Sequence, residues 1–243
     1  QPFKGQARSF YVLGEDDIKV RCTEYAPEKG LICLQSKTEP ADRLSLIPDE
    51  YVNPSPIPSA IQDVIAQLLE TDFTPNAITD FMFRRKPRFK GGIKDPIIAA
   101  DVEGELFIEA VILAAGALDN SYLCIQGPPG AGKTYTARHI IADLLKTGKR
   151  IGISSNSHKA ITNLMLGVAD HALDKDIKGK LIKVGGDEED SIFTRANVHY
   201  LKNARACGRD LDEAPICVGG TAWLFCNDIT SPGEGFEPFD YLF

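Results

Sequence analysis

The sequence lacks the features of a membrane or secreted protein. Its longest apolar run covers nine residues, 110–118, far short of the ~18–20 residues that a membrane helix needs. No charged-then-apolar segment opens the chain, and its six cysteines form neither a CxxC pair nor a zinc-like cluster with histidine. We therefore expect a cytoplasmic chain without membrane contact, whose cysteines are buried free thiols in a reducing compartment.

The composition also lacks the bias of a disordered chain, since 43% apolar and 25% charged residues are typical of globular proteins. A net charge of −7 is unusual for a protein whose main task is to bind nucleic acid. One local patch differs, because the basic run from Arg84 to Lys94 contains no acidic residue and surrounds Phe89. That run is interpreted either as a solvated face or as a contact to a nucleic-acid backbone.

Two kinds of pattern divide the chain. Short β-branched and aromatic segments joined by turns predict a small antiparallel sheet or barrel in residues 9–37. A proline-rich connector at 53–58 precedes two predicted helices, 60–70 with Ser59 as N-cap and 75–85. Beyond residue 95, predicted helices and strands alternate, which favours an α/β fold with a parallel sheet. There we predict helices at 103–118 (buried all round), 133–146 and 158–173, and strands at 122–126, 150–154, 180–184, 215–218 and 239–243.

The sequence GPPGAGKT at 127–134 fits the phosphate-binding pattern GxxxxGK[ST]. Glycines let backbone N–H groups close on phosphate oxygens, and the following helix adds its positive N-terminal end. Lys133 supplies a point charge for the β- and γ-phosphates, and the Thr134 hydroxyl a ligand for Mg²⁺. These two are the predicted catalytic residues. The predicted nucleotide-binding residues are Gly127, Pro128, Pro129, Gly130, Ala131, Gly132, Lys133, Thr134 and Tyr135.

Three segments together resemble a known family. The run 125–134 resembles motif I of superfamily 1 helicases of the 5′–3′ subgroup, 154–165 resembles their motif Ia, and 218–223 their motif Ic. The run 121–161 is most similar to bacterial proteins that fuse a RecB-like nuclease to such a helicase. The resemblance implies a RecA-like P-loop NTPase domain that uses ATP and Mg²⁺. It also implies contacts to single-stranded DNA or RNA from Ser157, His158, Lys159 and Thr221. The alternatives are an ordinary helix cap at Ser157 and core packing around Trp223.

The resemblance implies a domain order as well. We expect an accessory region at 1–95, made of a small sheet or barrel and two helices, and an incomplete first RecA-like domain at 96–243. In that family the acidic motif II would follow Phe243, so we expect nucleotide binding without appreciable hydrolysis from this chain. A second RecA-like domain and a RecB-like nuclease domain would complete the protein. Two rival functions stay open, a nucleic-acid-binding module with a silent P-loop and an AAA+-type ATPase that acts on protein.

Overall fold

The computed structural model divides the chain into two compact units, Gln1–Asn53 and Pro54–Phe243. It describes residues 9–39, 41–49, 52–92, 98, 101–186, 197–204, 214–227 and 238–243. Across those ranges no helix has both the length and the apolar character needed to cross a bilayer. The predicted division of the chain at residue 95 into an accessory region and a RecA-like domain stays a prediction.

The first unit holds a four-stranded antiparallel sheet in the order β3-β2-β1-β4. Its strands are β1 Ser9–Val12, β2 Glu15–Ala26, β3 Leu31–Gln35 and β4 Leu46–Pro48. Alternate residues point to the same face of a strand, and Phe10, Val12 and Val20 form the buried cluster on that face. The predicted antiparallel sheet is thereby confirmed. Strand β4 lies outside the predicted range 9–37, because its three residues are too few to show an alternating pattern.

The second unit begins with two helices, α1 Ile57–Glu70 and α2 Ala77–Met82. The N-cap of α1 is Pro56, so the prediction of Ser59 as N-cap is wrong. A proline is tolerated in the first turn, where the missing N–H has no intrahelical acceptor, and the helix therefore begins within the proline-rich connector. The side chain of Asn76 accepts hydrogen bonds from the N–H groups of Ile78 and Thr79, which fixes the start of α2.

A five-stranded parallel sheet forms the centre of the second unit, in the order β7-β6-β8-β5-β9. Four helices accompany it, which confirms the predicted α/β class. The strands are β5 Arg150–Ser154, β6 Lys180–Val184, β7 Val198–Leu201, β8 Ile216–Gly220 and β9 Tyr241–Leu242. The helices are α3 Gly104–Gly116, α4 Lys133–Lys146, α5 His158–Asp174 and the four-residue α6 Ala222–Phe225.

Helices α3, α4 and α5 bury one face of this sheet. Ile151 of β5 and Leu181 of β6 pack there against Ile140 of α4 and Met165 of α5. On the opposite face, residues such as Ile182 and Val218 pack against Leu224 of α6. Strands buried on both faces read as continuous apolar runs rather than as alternating ones, which explains why β5 and β8 could be predicted from sequence.

Helix α3 is buried along one stripe only. Val111, Ala114 and Ala115 are inside, whereas Leu106 is 66% exposed and Leu113 is 71% exposed. The prediction that this helix is buried all round is therefore wrong. An apolar composition indicates how much surface a helix could bury, but the number of neighbouring elements decides how much it does bury.

The segment at 122–126 is not a strand, which corrects a second prediction. The places on either side of β5 are taken by β8 and β9, and residues 122–126 join no ladder with another described strand. Cys124, Ile125 and Gln126 are exposed. An apolar extended segment becomes a strand only where a neighbouring strand exchanges backbone hydrogen bonds with it, and the sequence alone does not show that neighbour.

The cysteines among the described residues are free thiols. Cys217 is buried, and burial raises the pKa of its thiol to about 12. Cys33 and Cys124 are exposed, so the prediction of buried thiols is wrong for these two. Cys207 lies outside the described residues.

A fully buried carboxylate, that of Asp80, ties α2 to the segment that leads into residues 127–134. Its Oδ2 accepts from Arg88 Nε at 2.9 Å and from the Ser121 hydroxyl at 2.8 Å, and its Oδ1 lies 3.6 Å from Arg85 Nη1. Burial raises the pKa of Asp80, whereas the hydrogen bonds from Ser121 and Arg88 and the charges of both arginines lower it. The lowering effects together are larger, so the pKa of Asp80 lies below the ordinary value of an aspartate. The backbone N–H of Arg88 also donates a hydrogen bond to Ser121 Oγ.

We predict that Asp80→Asn destabilises the chain by about 2 kcal/mol, because it removes the charge that both arginines face and leaves a buried amide in its place. Chemical denaturation followed by circular dichroism measures the change. Asp63→Asn is the matched control, since Asp63 is exposed on α1, and should change stability by less than about 0.5 kcal/mol. Equal effects of the two substitutions would contradict the structural role of Asp80.

Candidate functional site

The carboxyl ends of three parallel strands meet at one edge of the sheet. Ser154 of β5 is in register with Gly220 of β8, and Lys183 of β6 is in register with Gly219. The loops that follow these strands therefore leave the sheet side by side. In open parallel sheets, ligands bind outside the carboxyl ends of the strands, and this edge is the candidate functional site.

The loop at 127–132 folds back on itself at this edge. Gly130 has φ +82° and Gly132 φ +78°, a left-handed conformation that favours glycine. A Cβ at Gly127 would lie 3.1 Å from the Cβ of Ala131, so the loop is tightly curled there. Lys133 Nζ donates to the carbonyl oxygens of Gly127 at 2.6 Å and Pro128 at 2.8 Å. The loop is thus wrapped around its own ammonium group.

Helix α4 begins directly after this loop and points its N-terminus at the same edge. A tight turn joins its C-terminal end to β5, and both pack in one cluster, so α4 runs antiparallel to β5. The first-turn N–H groups of Lys133, Thr134 and Tyr135 have no acceptor within the helix. Thr136 starts the helical ladder by donating to Gly132 O at 2.8 Å. The result is a set of exposed N–H donors beside one ammonium.

This donor set fits a polyphosphate and a magnesium ion. Free N–H groups at a helix N-terminus bind anions, and glycines at 130 and 132 leave open space where a Cβ would stand. Thr134 is exposed in the first turn, and its hydroxyl is the type of oxygen ligand that Mg²⁺ accepts. Lys133 would contact phosphate oxygens, and Thr134 would ligate the ion.

A row of rings joins α4 to α5 behind the phosphate loop. The guanidinium of Arg138 lies 4.3 Å from the ring centroid of Tyr135. The ring centroids of Tyr135 and His139 are 4.3 Å apart, and those of His139 and His171 are also 4.3 Å apart. Burial lowers the pKa of His171, and the positive charges of His139, Arg138 and Lys175 lower it further against the opposing effect of Asp174.

Helix α5 presents a second N-terminus at the edge. The Ser157 side chain caps it by accepting from the N–H of Ala160 at 3.4 Å, which is the helix-cap alternative stated above. A hydroxyl that accepts keeps its own proton to donate, so the cap does not exclude a contact to a ligand. Lys159 is exposed and His158 is half-buried. The N–H groups of His158 and Lys159 have no acceptor within the helix.

The structure brings Thr221 to the same edge, one residue after Gly220 of β8. It is half-buried at the N-cap of α6, and its carbonyl oxygen accepts from the N–H of Leu224 at 2.9 Å. Trp223 is half-buried as well, so it belongs neither fully to the core nor to the surface. Thr221 and Ser157 therefore flank the ends of neighbouring strands.

Two arginines of the basic run have a structural role within the fold. Arg85 and Arg88 face Asp80, and Arg88 Nη2 also donates to Asn120 O at 2.8 Å. Arg84 and Lys90 are exposed, whereas Lys94 lies outside the described residues. Arg85 and Arg88 therefore stabilise the fold, and a contact to nucleic acid stays a prediction for the other basic residues of the run.

Sequence reasoning missed Lys183, Gly185 and Gly186 at this edge. Lys183 is fully buried at the end of β6, and its Nζ lies 3.0 Å from His158 Nδ1. A Cβ at Gly186 would lie 3.0 Å from Cγ of His158. A lysine inside an otherwise apolar strand, followed by two glycines, is the signal that could have pointed to them.

Residues 109–210 match the AAA_11 family model, described as an AAA domain. The matched region includes the phosphate loop, α4, β5, α5, β6 and β7. Residues 109–210 are thus similar to an AAA domain, and we refer to them as the AAA domain. The AAA domain has a P-loop NTPase fold. Helix α4 follows the glycine-rich loop as predicted, whereas residues 122–126 before the loop are not the predicted strand.

Curated relatives are similar to part of this chain. The DNA replication ATP-dependent helicase/nuclease DNA2 of Saccharomyces cerevisiae is 32% identical over 87 residues, which cover 34% of this chain and 6% of that protein. The NFX1-type zinc finger-containing protein 1 of Homo sapiens is 31% identical over 102 residues, or 39% of this chain and 5% of that protein. The Mus musculus protein of that name is 32% identical over 102 residues. The chain thus matches only a small part of each relative's length.

We predict that the AAA domain loses stability as pH falls below about 6.5, the ordinary pKa of histidine. The pKa of His171 is lowered on folding, so the unfolded chain binds more protons in this window and stability rises with pH. Thermal unfolding at pH 7.5 and 5.5 measures the difference. His171→Gln should reduce it, whereas His199→Gln, at an exposed residue of β7, should not. An unchanged pH dependence in His171→Gln would contradict the prediction.

Proposed function

We propose that this chain is the ATP-binding part of a superfamily 1 helicase motor. In this proposal the AAA domain binds ATP·Mg²⁺ through its phosphate loop and single-stranded DNA or RNA at the N-terminus of α5. The observation that carries the proposal is the shared edge: the phosphate loop, Ser157–Lys159 and Thr221 all lie at the carboxyl ends of the parallel strands. A nucleotide and a strand bound there would contact neighbouring loops of one sheet.

The nucleotide half of the proposal rests on the loop around Lys133. Its ammonium is held by two carbonyl oxygens of the loop, and these are weaker partners than phosphate oxygens, which carry charge. A polyphosphate would therefore draw the ammonium to itself and contact the exposed N–H groups of the first turn. The bound nucleotide would supply the energy of its phosphoanhydride bond.

We predict that Lys133→Ala abolishes ATP·Mg²⁺ binding, because it removes the charge that pairs with the β- and γ-phosphates. Isothermal titration calorimetry on the 243-residue chain measures the affinity. The matched control is Lys146→Ala, an exposed lysine at the opposite end of the same helix, which should bind like the unchanged chain. Unaltered affinity in Lys133→Ala would count against the phosphate site.

The strand half of the proposal rests on the first turn of α5. Two N–H groups without an intrahelical acceptor, the proton of the Ser157 hydroxyl and the exposed ammonium of Lys159 form a group of donors suited to a phosphodiester backbone. Thr221 adds a further side chain at the next strand end. The printed name of the yeast relative, a DNA replication helicase/nuclease, supports a nucleic-acid partner.

We predict that Lys159→Ala weakens binding of fluorescein-labelled single-stranded DNA and RNA about three- to tenfold. The slope of the logarithm of the binding constant against the logarithm of the salt concentration should become shallower by about 1, because one phosphate contact is lost. Fluorescence anisotropy over a series of salt concentrations measures both. Lys175→Ala, at the opposite end of α5, is the matched control and should leave the affinity unchanged. Equal losses in both variants would indicate general electrostatic attraction without a site at the edge.

The same assay separates the proposed motor from its rivals. A helicase motor changes its affinity for the strand when ATP·Mg²⁺ binds, whereas a nucleic-acid-binding module with a silent P-loop does not. An AAA+-type ATPase that acts on protein would bind nucleotide and no strand.

We extend the proposal to a second RecA-like domain, which would close over the nucleotide, and to a RecB-like nuclease domain in the same protein.

A further inference from the structure

Lys183 is a buried cation whose Nζ lies near two backbone carbonyl oxygens and one imidazole nitrogen. It is fully buried at the carboxyl end of β6. Its Nζ donates to the carbonyl oxygens of Val184 at 3.0 Å and Gly185 at 2.5 Å, and it lies 3.0 Å from Nδ1 of His158 on α5. An ammonium has three N–H donors and no lone pair, so it can only donate in these contacts.

These contacts determine the protonation of the imidazole. Because the ammonium can only donate, Nδ1 of His158 accepts and carries no proton. The proton of the neutral ring is then on Nε2, which turns that atom into a hydrogen-bond donor. The bond made by one ring nitrogen sets the state of the other.

The glycine pair that follows β6 holds the ring in place. A Cβ at Gly185 would lie 3.2 Å from Cε1 of His158, and one at Gly186 would lie 3.0 Å from Cγ. Both glycines have a positive φ, +72° and +92°, and the carbonyl of Gly186 accepts from the Tyr200 hydroxyl at 3.0 Å. The imidazole therefore lies flat against a backbone that β6 and β7 anchor.

We propose that Lys183 is a positioning residue, which fixes His158 as the Nε2–H tautomer so that the ring donates a hydrogen bond to a phosphate oxygen of the bound strand. The inference rests on the proposed function for its partner, a phosphodiester backbone. It assigns the buried lysine a role in recognition at the edge of the sheet, through a histidine, without contact between Lys183 and the strand.

The test begins with the free 243-residue chain, labelled with ¹⁵N at histidine. At pH 8, where an ordinary imidazole is neutral, long-range ¹H–¹⁵N spectra distinguish the two tautomers. We expect the Nε2–H form for His158, assigned by loss of its signals in His158→Phe, and a mixture in Lys183→Met. A Nδ1–H form, or a tautomer unchanged by Lys183→Met, overturns the proposal. No oligonucleotide is needed, so this result is independent of the proposed function.

A double-mutant cycle tests the role in binding. Fluorescence anisotropy with single-stranded oligonucleotide should show about tenfold weaker binding for His158→Phe and about three- to tenfold for Lys183→Met, with no further loss in the double variant. Both substitutions keep side-chain shape, and circular dichroism checks that each variant folds. Additive losses overturn the positioning role. His199→Gln serves as a control, and absence of binding by the unchanged chain contradicts the proposed function instead.

Discussion

The parallel ladder that aligns β5, β6 and β8 is the constraint on which the site depends. Each strand is fixed by backbone hydrogen bonds to its neighbours, so the three strands end at one level. The close approach of α5 to this sheet needs Gly219, because a Cβ there would overlap with Met165. Two helix N-termini are thereby held at one edge, although their loops are separated by some 25 residues of sequence.

Local electrostatics at this edge differ from those of the whole chain. The net charge is −7, yet the edge collects two positive helix ends and the side chains of Lys133, Lys159 and Lys183. Only Lys183 is fully buried, and a buried ammonium is tolerated because acceptors surround it. An anionic ligand would therefore meet positive charge from the described residues of this edge, although the protein is acidic, and the global charge is a poor guide to the partner.

Helices α4 and α5 are joined as well as aligned. The rings of His139 and His171 contact each other, and Arg138 covers the ring of Tyr135 in the first turn of α4. On the other side of the phosphate loop, Asp80 binds Ser121 and so anchors the segment leading into it. Residues 122–126 are not a strand, so backbone pairing within the sheet does not hold the start of the phosphate loop. The ring contacts between α4 and α5 and the hydrogen bond between Asp80 and Ser121 hold the loop instead.

The sequence by itself determined the phosphate loop, the helices that follow it and the α/β class. Glycine spacing and continuous apolar runs are local features, and they persist in any packing. Only the tertiary structure decided that α3 exposes Leu113, that 122–126 stays outside the sheet and that Lys183 reaches His158. Each of these depends on which element lies next to another, and residues 25 positions apart become neighbours only when two strands and a helix pack together.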